Sequence, residues 1–558
     1  MKKIYWILFV IVLSSCGVRK SIKHLPQTNG YDQKMPKPIK HSPTIFTYND
    51  NFFFKNSQNN LWEMYVEGDA LQRGLIMGSL SDSLIKKQEH VFFDKIKEIV
   101  PSRFKQRMLR QFLKVYNRKL YLNVSEEYQT EIYGLSQYAA DSLDYIAPKY
   151  LRTLYLHGAH DIGHALTDLS LVGCTSFAVW GENTSDGSLL IGRNLDFYAG
   201  DEFAHDKVVY FIKPELGHPY MSVSWPGMIG VVSGMNLEGL TITINAGKSD
   251  IPWVAKTPIS ILAREILQYA KNIDEAIAIA KKRKVFVSES IMIGSAVDKK
   301  AIIIEISPDH FGVYDVENSS KVICANHFQS ATYADDKKNN KQILESHSKY
   351  RFDRMEELLT ENNKITPQEA ATILRNTSGL KNEPLGYGNE KSLNQLLAHH
   401  GIIFKPEQRL VWVSANPYQL GEFVCYDLNK VFEKKGEERK LVTMAQIKLN
   451  IAKDPFLDTK AYKDYEKFKL ESKEIDKVLV DKTKLSDAEI EAFQVLNPDF
   501  WEVYYKAGKY YQQQKNYTKA TANFEKALTK EITTLPDEKE VKKQLEKVKK
   551  RKKAIGKK

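Results

Sequence analysis

The sequence predicts an α+β fold with helical blocks on both sides of a strand-rich centre. Three observations carry this. Short apolar runs bounded by turn residues cluster between 174 and 245 and return at 291–306, 312–316, 410–413 and 422–426. Stretches with apolar residues three and four positions apart fill 91–115, 125–143, 258–282, 347–360 and 367–375. From about residue 438 the chain is charged and helical in pattern. Strands, then helices, then strands again fit a layered α+β unit from 174 to about 431.

The chain opens with Met1-Lys2-Lys3, an apolar run of ten residues from Ile4 to Leu13, and then Leu13-Ser14-Ser15-Cys16. That order predicts a secretory signal with a lipoprotein cleavage box over 1–16. The run is too short for a permanent membrane-spanning helix. Cys16 is therefore the expected lipidation site, and the expected location is the bacterial cell envelope, lipid-anchored at an outer membrane or cell surface. An ordinary signal peptide or a weak anchor is the plainer alternative. Residues 17–58 are polar with scattered Pro and Asn and read as a tether. Residues 59–173 read as a helical block.

At Cys174 the pattern changes. A strand over 176–180, a polar turn over 183–187 and a return strand over 189–193 predict a hairpin. Further strands are expected at 208–212, 221–225, 229–233 and 240–245. Residues 258–282 predict one long helix with Pro258 at its start. Thr366-Pro367-Gln368-Glu369 is a capping sequence for the helix that follows. Residues 174–435 thus form one domain and 436–558 a second, helical one. Within the latter, Trp501 to Tyr511 and Asn516 to Ala527 resemble a tetratricopeptide unit, with a plain helical hairpin as the alternative.

A chain of 558 residues is too long for a single core. Its net charge of +12 is local: residues 541–558 hold ten Lys/Arg against one Glu. The basic character is a tail, solvated or lying on anionic lipid, and nucleic acid is not an expected partner. Four cysteines are too few for a disulfide framework. Cys324 and Cys425 are expected either as a pair or as buried free thiols.

The chemistry centres on Gly173-Cys174-Thr175-Ser176, followed by Gly192-Arg193-Asn194-Leu195-Asp196. An N-terminal cysteine carries a nucleophile and, in its α-amine, a base of reference pKa about 8. Cys174 gains that amine only if the Gly173–Cys174 bond is cut. The expected route is attack of the thiol on the preceding carbonyl, an N-to-S acyl shift and hydrolysis, with Gly173 leaving the carbonyl sterically open.

These residues resemble the N-terminal-nucleophile cysteine hydrolases, whose close branches are choloylglycine (bile salt) hydrolases and isopenicillin-N acyltransferase-like proteins. The resemblance covers about 171–431. It implies a four-layer αββα core and a catalytic set of Cys174, Arg193, Asp196, Asn245, Asn326 and Arg351. Arg193 and Asp196 match the family's Arg and Asp. Gly234-Met235-Asn236-Leu237-Glu238-Gly239-Leu240 matches a turn before the first functional asparagine, Asn245. Cys324-Ala325-Asn326-His327-Phe328 matches the second, and Ser348-Lys349-Tyr350-Arg351-Phe352-Asp353-Arg354 matches a helix start carrying a remote arginine. The long segment between Cys16 and Cys174 resembles the acyltransferase branch, where a pro-region stays bound after self-cleavage.

The resemblance implies a self-processing amidohydrolase or acyltransferase for a small acylated amide or thioester, without cofactor or metal. A bile salt hydrolase-type enzyme is one alternative. An inactive surface lipoprotein that engages a protein partner through its C-terminal helices is another. His157, His160 and His164 have helical spacing suited to zinc, but no further ligand is apparent and packing is the preferred reading. His327 beside Asn326 is a spare base, and His399-His400 is read as a helix end.

Overall fold

The computed structural model describes residues 17–158, 161, 173–248, 252, 254–362, 364–434 and 442–555. Among the described residues, seventeen strands fall into two sheets. The larger has eleven strands in the order β1-β2-β3-β4-β7-β8-β9-β10-β11-β12-β13. Its members are β1 (Ile39–Ser42), β2 (Ile45–Tyr48), β3 (Asn51–Lys55), β4 (Trp62–Gly68), β7 (Val208–Pro214), β8 (Tyr220–Ser224), β9 (Ser233–Asn236), β10 (Leu240–Ala246), β11 (Glu289–Ser295), β12 (Lys300–Ile306) and β13 (Phe311–Tyr314). The smaller runs β14-β5-β6-β15-β16-β17. It is built from β14 (Lys321–Cys324), β5 (Thr175–Val179), β6 (Leu190–Leu195), β15 (His400–Lys405), β16 (Leu410–Ser414) and β17 (Phe423–Asp427).

The two sheets share a dry interface in which Ala178, Ile191, Ile402 and Phe404 meet Val209, Phe211, Met292 and Ile303. The other face of the large sheet packs on helices α1 (Ala70–Ile99), α3 (Glu126–Ser136), α6 (Ile259–Tyr269) and α7 (Ile273–Lys282), with Met64, Tyr210 and Ile244 below Ile76, Ile132 and Leu262. Helix α2 (Arg103–Tyr116) follows α1, and α4 (Lys149–His157) and the short α5 (Asp201–His205) complete this side. The other face of the small sheet packs Phe177, Val179 and Ile403 against α9 (Ser348–Glu361) and α10 (Pro367–Leu374), which follow α8 (Lys337–Glu345). The α10 start carries the expected capping box, Thr366 and Glu369 satisfying each other's backbone N–H. After α11 (Leu428–Glu433) come α12 (Lys460–Asp481), α13 (Asp487–Val495), α14 (Trp501–Gln513), α15 (Tyr517–Ala527) and α16 (Leu535–Ile555). They share a third core containing Phe468, Phe493, Val503, Ala507, Phe524 and Val541.

The segment before Cys174 departs from its expected reading. Part of the expected tether over 17–58 is strand: β1 to β3 form an antiparallel meander. Part of the expected helical block over 59–173 is β4, paired antiparallel to β3 and parallel to β7 from Trp62↔Val208 to Gly68↔Pro214. Phe52, Phe53, Trp62, Met64 and Val66 are buried there because a central strand must present apolar side chains to both faces. The expected helix over 258–282 is broken between Tyr269 and Ile273, where Asn272 caps α7 through Glu275 N–H. The expected strand over 229–233 begins only at Ser233. His399-His400 is not a helix end: His400 opens β15, and both rings are buried.

Candidate active site

The β5/β6 hairpin sets the first part of the site. Its register pairs Thr175 with Asn194 and Ser176 with Arg193, and the Gly173 N–H donates to the Asp196 carbonyl at 3.0 Å. Alternation along the strands divides these side chains between two faces. Ser176 and Arg193 point toward the large sheet. Thr175 and Asn194 point toward α9 and α10, where Arg351 meets Thr175 Oγ1 and Asn194 donates to the carbonyls of Leu374 and Leu393.

Cys174 is fully buried, and its Sγ lies 3.6 Å from Arg193 Nη2. That guanidinium is fixed by the Ile244 carbonyl at 2.5 Å, the Ser233 hydroxyl at 2.5 Å and the Val232 carbonyl at 3.3 Å. Burial pushes the Cys174 thiol up to about 11, against the pull of Arg193. The thiol is therefore neutral in the uncut chain. Burial also pushes the Asp196 carboxyl up to about 7, against Arg351 and Arg193, and Asp196 Oδ1 has no hydrogen-bond partner among the described residues.

Arg351 reaches the backbone of the same residue from the opposite side. Its Nη1 donates to the Cys174 carbonyl at 2.7 Å and its Nη2 to Asn326 Oδ1 at 2.6 Å. Asn326 Nδ2 donates to the Ala246 carbonyl at 3.0 Å, and its N–H is held by Ser348 Oγ at 2.8 Å. Asn245 stands one step further off. Its Oδ1 accepts from Ser176 Oγ at 3.0 Å and its Nδ2 donates to the Cys324 carbonyl at 2.9 Å. The structure thus brings Cys174, Arg193, Asp196, Arg351 and Asn326 into one connected cluster. Asn245 braces the strand ends that carry Cys174 and Asn326.

Four further groups join the site: Gln395 and Ser233, which the sequence reading did not single out, and His399 and His400, which it read as a helix end. Gln395 Nε2 donates to the Gly173 carbonyl at 2.9 Å and lies 3.3 Å from Asp196 Oδ2. A Cβ at position 173 would stand 2.6 Å from Gln395 Nε2, so the glycine is what lets this amide sit against the bond. Ser233 Oγ, which accepts from Arg193, lies 2.9 Å from His400 Nε2, and His400 Nδ1 lies 2.8 Å from His399 Nδ1. Burial and the neighbouring cations hold both imidazoles well below their ordinary range, so both are neutral. Ser233 Oγ and His400 Nε2 thus share one hydrogen bond, and a single proton lies between the two imidazole Nδ1 atoms. Gln395, Ser233, His400 and His399 lie in no recognisable motif; only the fold brings them to Cys174.

The histidine expectations change accordingly. His157 Nδ1 pairs with the Thr153 carbonyl at 2.8 Å and its Nε2 accepts from Ile229 N–H at 3.0 Å, which occupies both ring nitrogens. His160 and His164 lie outside the described residues, as does Cys16. His327 is pushed down to about 4 by burial and Arg351, and it pairs with Ser348 rather than Cys174. Cys324 and Cys425 are free, buried thiols. Beside the site, Phe92, His157, Phe197, Phe203, Trp225 and Met228 line an aromatic pocket. Phe197 directly follows Asp196 and stacks on Trp225 with centroids 5.5 Å apart.

Fold and site together define a mixed α+β chain whose buried cysteine opens a strand between two arginines and a raised carboxylate. Residues 182–416 match the family model of acyl-coenzyme A:6-aminopenicillanic acid acyl-transferase. That span begins after Cys174 and contains Arg193, Asp196, Asn245, Asn326, Arg351 and Gln395. An uncharacterized protein of Archaeoglobus fulgidus is 26% identical over 276 residues, 46% of this chain and 45% of its own length. Protein dcd1B of Dictyostelium discoideum is 23% identical over 285 residues, 47% of this chain and 53% of its own. The chain spans about half the length of the curated relatives it matches. Among solved structures, the Caenorhabditis elegans ortholog of N-acylethanolamine-hydrolyzing acid amidase is similar at 16% identity and a TM-score of 0.31, over 42% of this chain and 93% of that one. A mutant of the conjugated bile acid hydrolase from Clostridium perfringens is similar at 16% identity and a TM-score of 0.32, over 46% and 93%.

Proposed function

We propose that this chain is a self-processing cysteine amidohydrolase or acyltransferase that works through an acyl-Cys174 intermediate. The observation that carries the reading is the environment of the Gly173–Cys174 bond: thiol, Arg193, Asp196 and Arg351 on the cysteine, and Gln395 on the carbonyl before it. The match of residues 182–416 to an acyl-transferase family supports it. The sheet-on-sheet core with helices on both outer faces supports the four-layer αββα reading.

In the first event Asp196 takes the thiol proton and Sγ adds to the Gly173 carbonyl carbon. Gln395 holds the oxyanion, an interaction that strengthens as charge develops. The C–N bond breaks as the proton passes to the Cys174 nitrogen, leaving a thioester. Water cleaves the thioester to a Gly173 carboxylate and a free Cys174 with an α-amine. In turnover that amine takes the thiol proton, Sγ attacks the acyl carbon of an amide or thioester, and the leaving group departs with the proton. Water or an acceptor amine then releases the acyl group. The aromatic pocket at Phe197 and Trp225 suits an apolar acyl portion. We also read Cys16 as the lipid attachment site, on the basic start, the apolar run and the Leu13-Ser14-Ser15-Cys16 box. The helix pair α14–α15 supports the tetratricopeptide-like reading of the C-terminal region.

The test uses the purified chain from Gly17, which keeps every described residue. It should migrate as two fragments divided before Cys174 and release amine from N-acyl amides with apolar acyl groups. Cys174→Ala should stay whole and inert. A wild-type chain that stays whole and turns over nothing overturns the reading.

A further inference from the structure

We propose that helix α2 is a docking element for an anionic phospholipid surface. The sequence from Arg103 to Lys119 holds seven basic residues, Arg103, Lys105, Arg107, Arg110, Lys114, Arg118 and Lys119, and no acidic one. Along α2 only Tyr116 is buried, stacked on Phe112 and set edge-on to Phe286. The helix is thus tied to the core at one end and turned outward along its length.

The outward face is apolar. Phe104 is 71% exposed, Met108 57%, Phe112 45% and Val115 37%. At about 100° per residue these four side chains share a stripe roughly 80° wide. Arg103, Arg107, Arg110 and Lys114 follow along one edge of that stripe, and Lys105 along the other. Next to the helix, Arg110 lies over the ring of Tyr145 at 5.3 Å and donates to its carbonyl, and Tyr145 is itself 57% exposed. An exposed apolar stripe edged by cations, with an aromatic ring at its margin, is the arrangement that lies in a headgroup layer with its apolar side chains among acyl chains. Water is a poor solvent for that stripe. A second copy of the same face would set seven cations against seven. An anionic bilayer satisfies the stripe and the charges together.

The lipid proposed on Cys16 and the basic end of α16 are other routes to the same membrane. The experiment isolates the α2 surface. The chain from Gly17 and three variants are sedimented with vesicles of phosphatidylcholine alone or mixed with phosphatidylglycerol. The variants are Phe104→Ser/Met108→Ser/Phe112→Ser, Lys105→Gln/Arg107→Gln/Lys114→Gln, and Lys549→Gln/Lys550→Gln/Arg551→Gln/Lys552→Gln/Lys553→Gln. All substituted side chains of α2 are at least partly exposed, and the fold is checked by thermal melting. The wild-type chain and the α16 variant should bind the anionic vesicles and not the neutral ones. Both α2 variants should bind at least about tenfold more weakly, given roughly a fivefold contribution from each basic residue at a surface. Binding that is lost in the α16 variant but kept in both α2 variants overturns the proposal, and so does a wild-type chain that ignores anionic vesicles. A wild-type dimer in solution that the serine variant makes monomeric assigns the face to a second copy and also overturns it.

Discussion

At the scale of single residues, the site is governed by how burial moves protons. Cys174 is held neutral, and burial raises the Asp196 carboxyl to about 7. An acid raised by burial is protonated below its shifted value and ionised above it. If Asp196 accepts the thiol proton, self-cleavage slows as pH falls through about 7 and levels off above it. Asp196→Asn should cleave far more slowly and lose that pH profile, which timed gels across pH 5–9 would read. The same numbers show what was legible beforehand. Cys174, Arg193 and Asp196 lie within one hairpin, so their spacing along the chain already placed them together. Arg351 and Asn326 were legible through short motifs. Gln395 was not, because its reach to the Gly173 carbonyl depends on a loop path that no local pattern encodes.

That loop is the feature that matters at the scale of elements. It runs from Leu385 to Leu396 between α10 and β15, and the C-terminal helices hold it. Gly386 lies against the Phe500 backbone with φ +77°, in a space where a Cβ would stand 2.3 Å from Phe500 N. Asn497 makes two hydrogen bonds with the Tyr387 backbone, at 3.0 and 2.8 Å, and Asn389 donates to the Glu531 carbonyl at 2.9 Å. Tyr465 OH meets the Leu396 carbonyl at 3.4 Å. Helical patterning announced this region, but not that it grips the strand entry carrying Gln395. Gln395→Ala should slow self-cleavage by on the order of 10²–10³-fold, the cost of one oxyanion donor. Asn497→Ala, remote from the bond, should slow it less and in the same direction, because the loop end carrying Gln395 is less well held. Equal rates for both variants and wild type would remove Gln395 from the reaction. Secondary structure failed elsewhere for a different reason. The 39–55 segment follows a polar stretch, but its own Ile45, Phe46 and Phe52-Phe53-Phe54 carry a strand signal at odds with a tether, and β4 offers the edge it pairs with.

At the scale of the whole molecule, the segments before and after Cys174 share one core. Glu131 of α3 sits fully buried between Arg73 of α1 and Arg264 of α6, bonded to both at 2.7–2.8 Å. The two guanidiniums hold its carboxyl below its ordinary range. A carboxyl lowered on folding stabilises the fold above its unfolded value and loses that contribution as pH falls through the folded one. Glu127 adds Arg73, Gln268 and Tyr269 to the same network. After cleavage the two fragments should therefore co-elute as one particle on gel filtration and separate only in denaturant. Glu131→Gln leaves two buried cations short of a partner and should lower stability by about 3–5 kcal/mol, measured by denaturant titration. Fragments that separate in native buffer would contradict this picture.

The parallel pairing of β4 with β7 also sets an order of events. A gene truncated to start at Cys174 would, once its initiator Met is removed, make a polypeptide already carrying the α-amine, yet β7 would become a bare outer edge of the large sheet, with its apolar face uncovered. Such an edge recruits other chains. Under the proposed self-cleavage, this pairing puts folding around Cys174 before the cut.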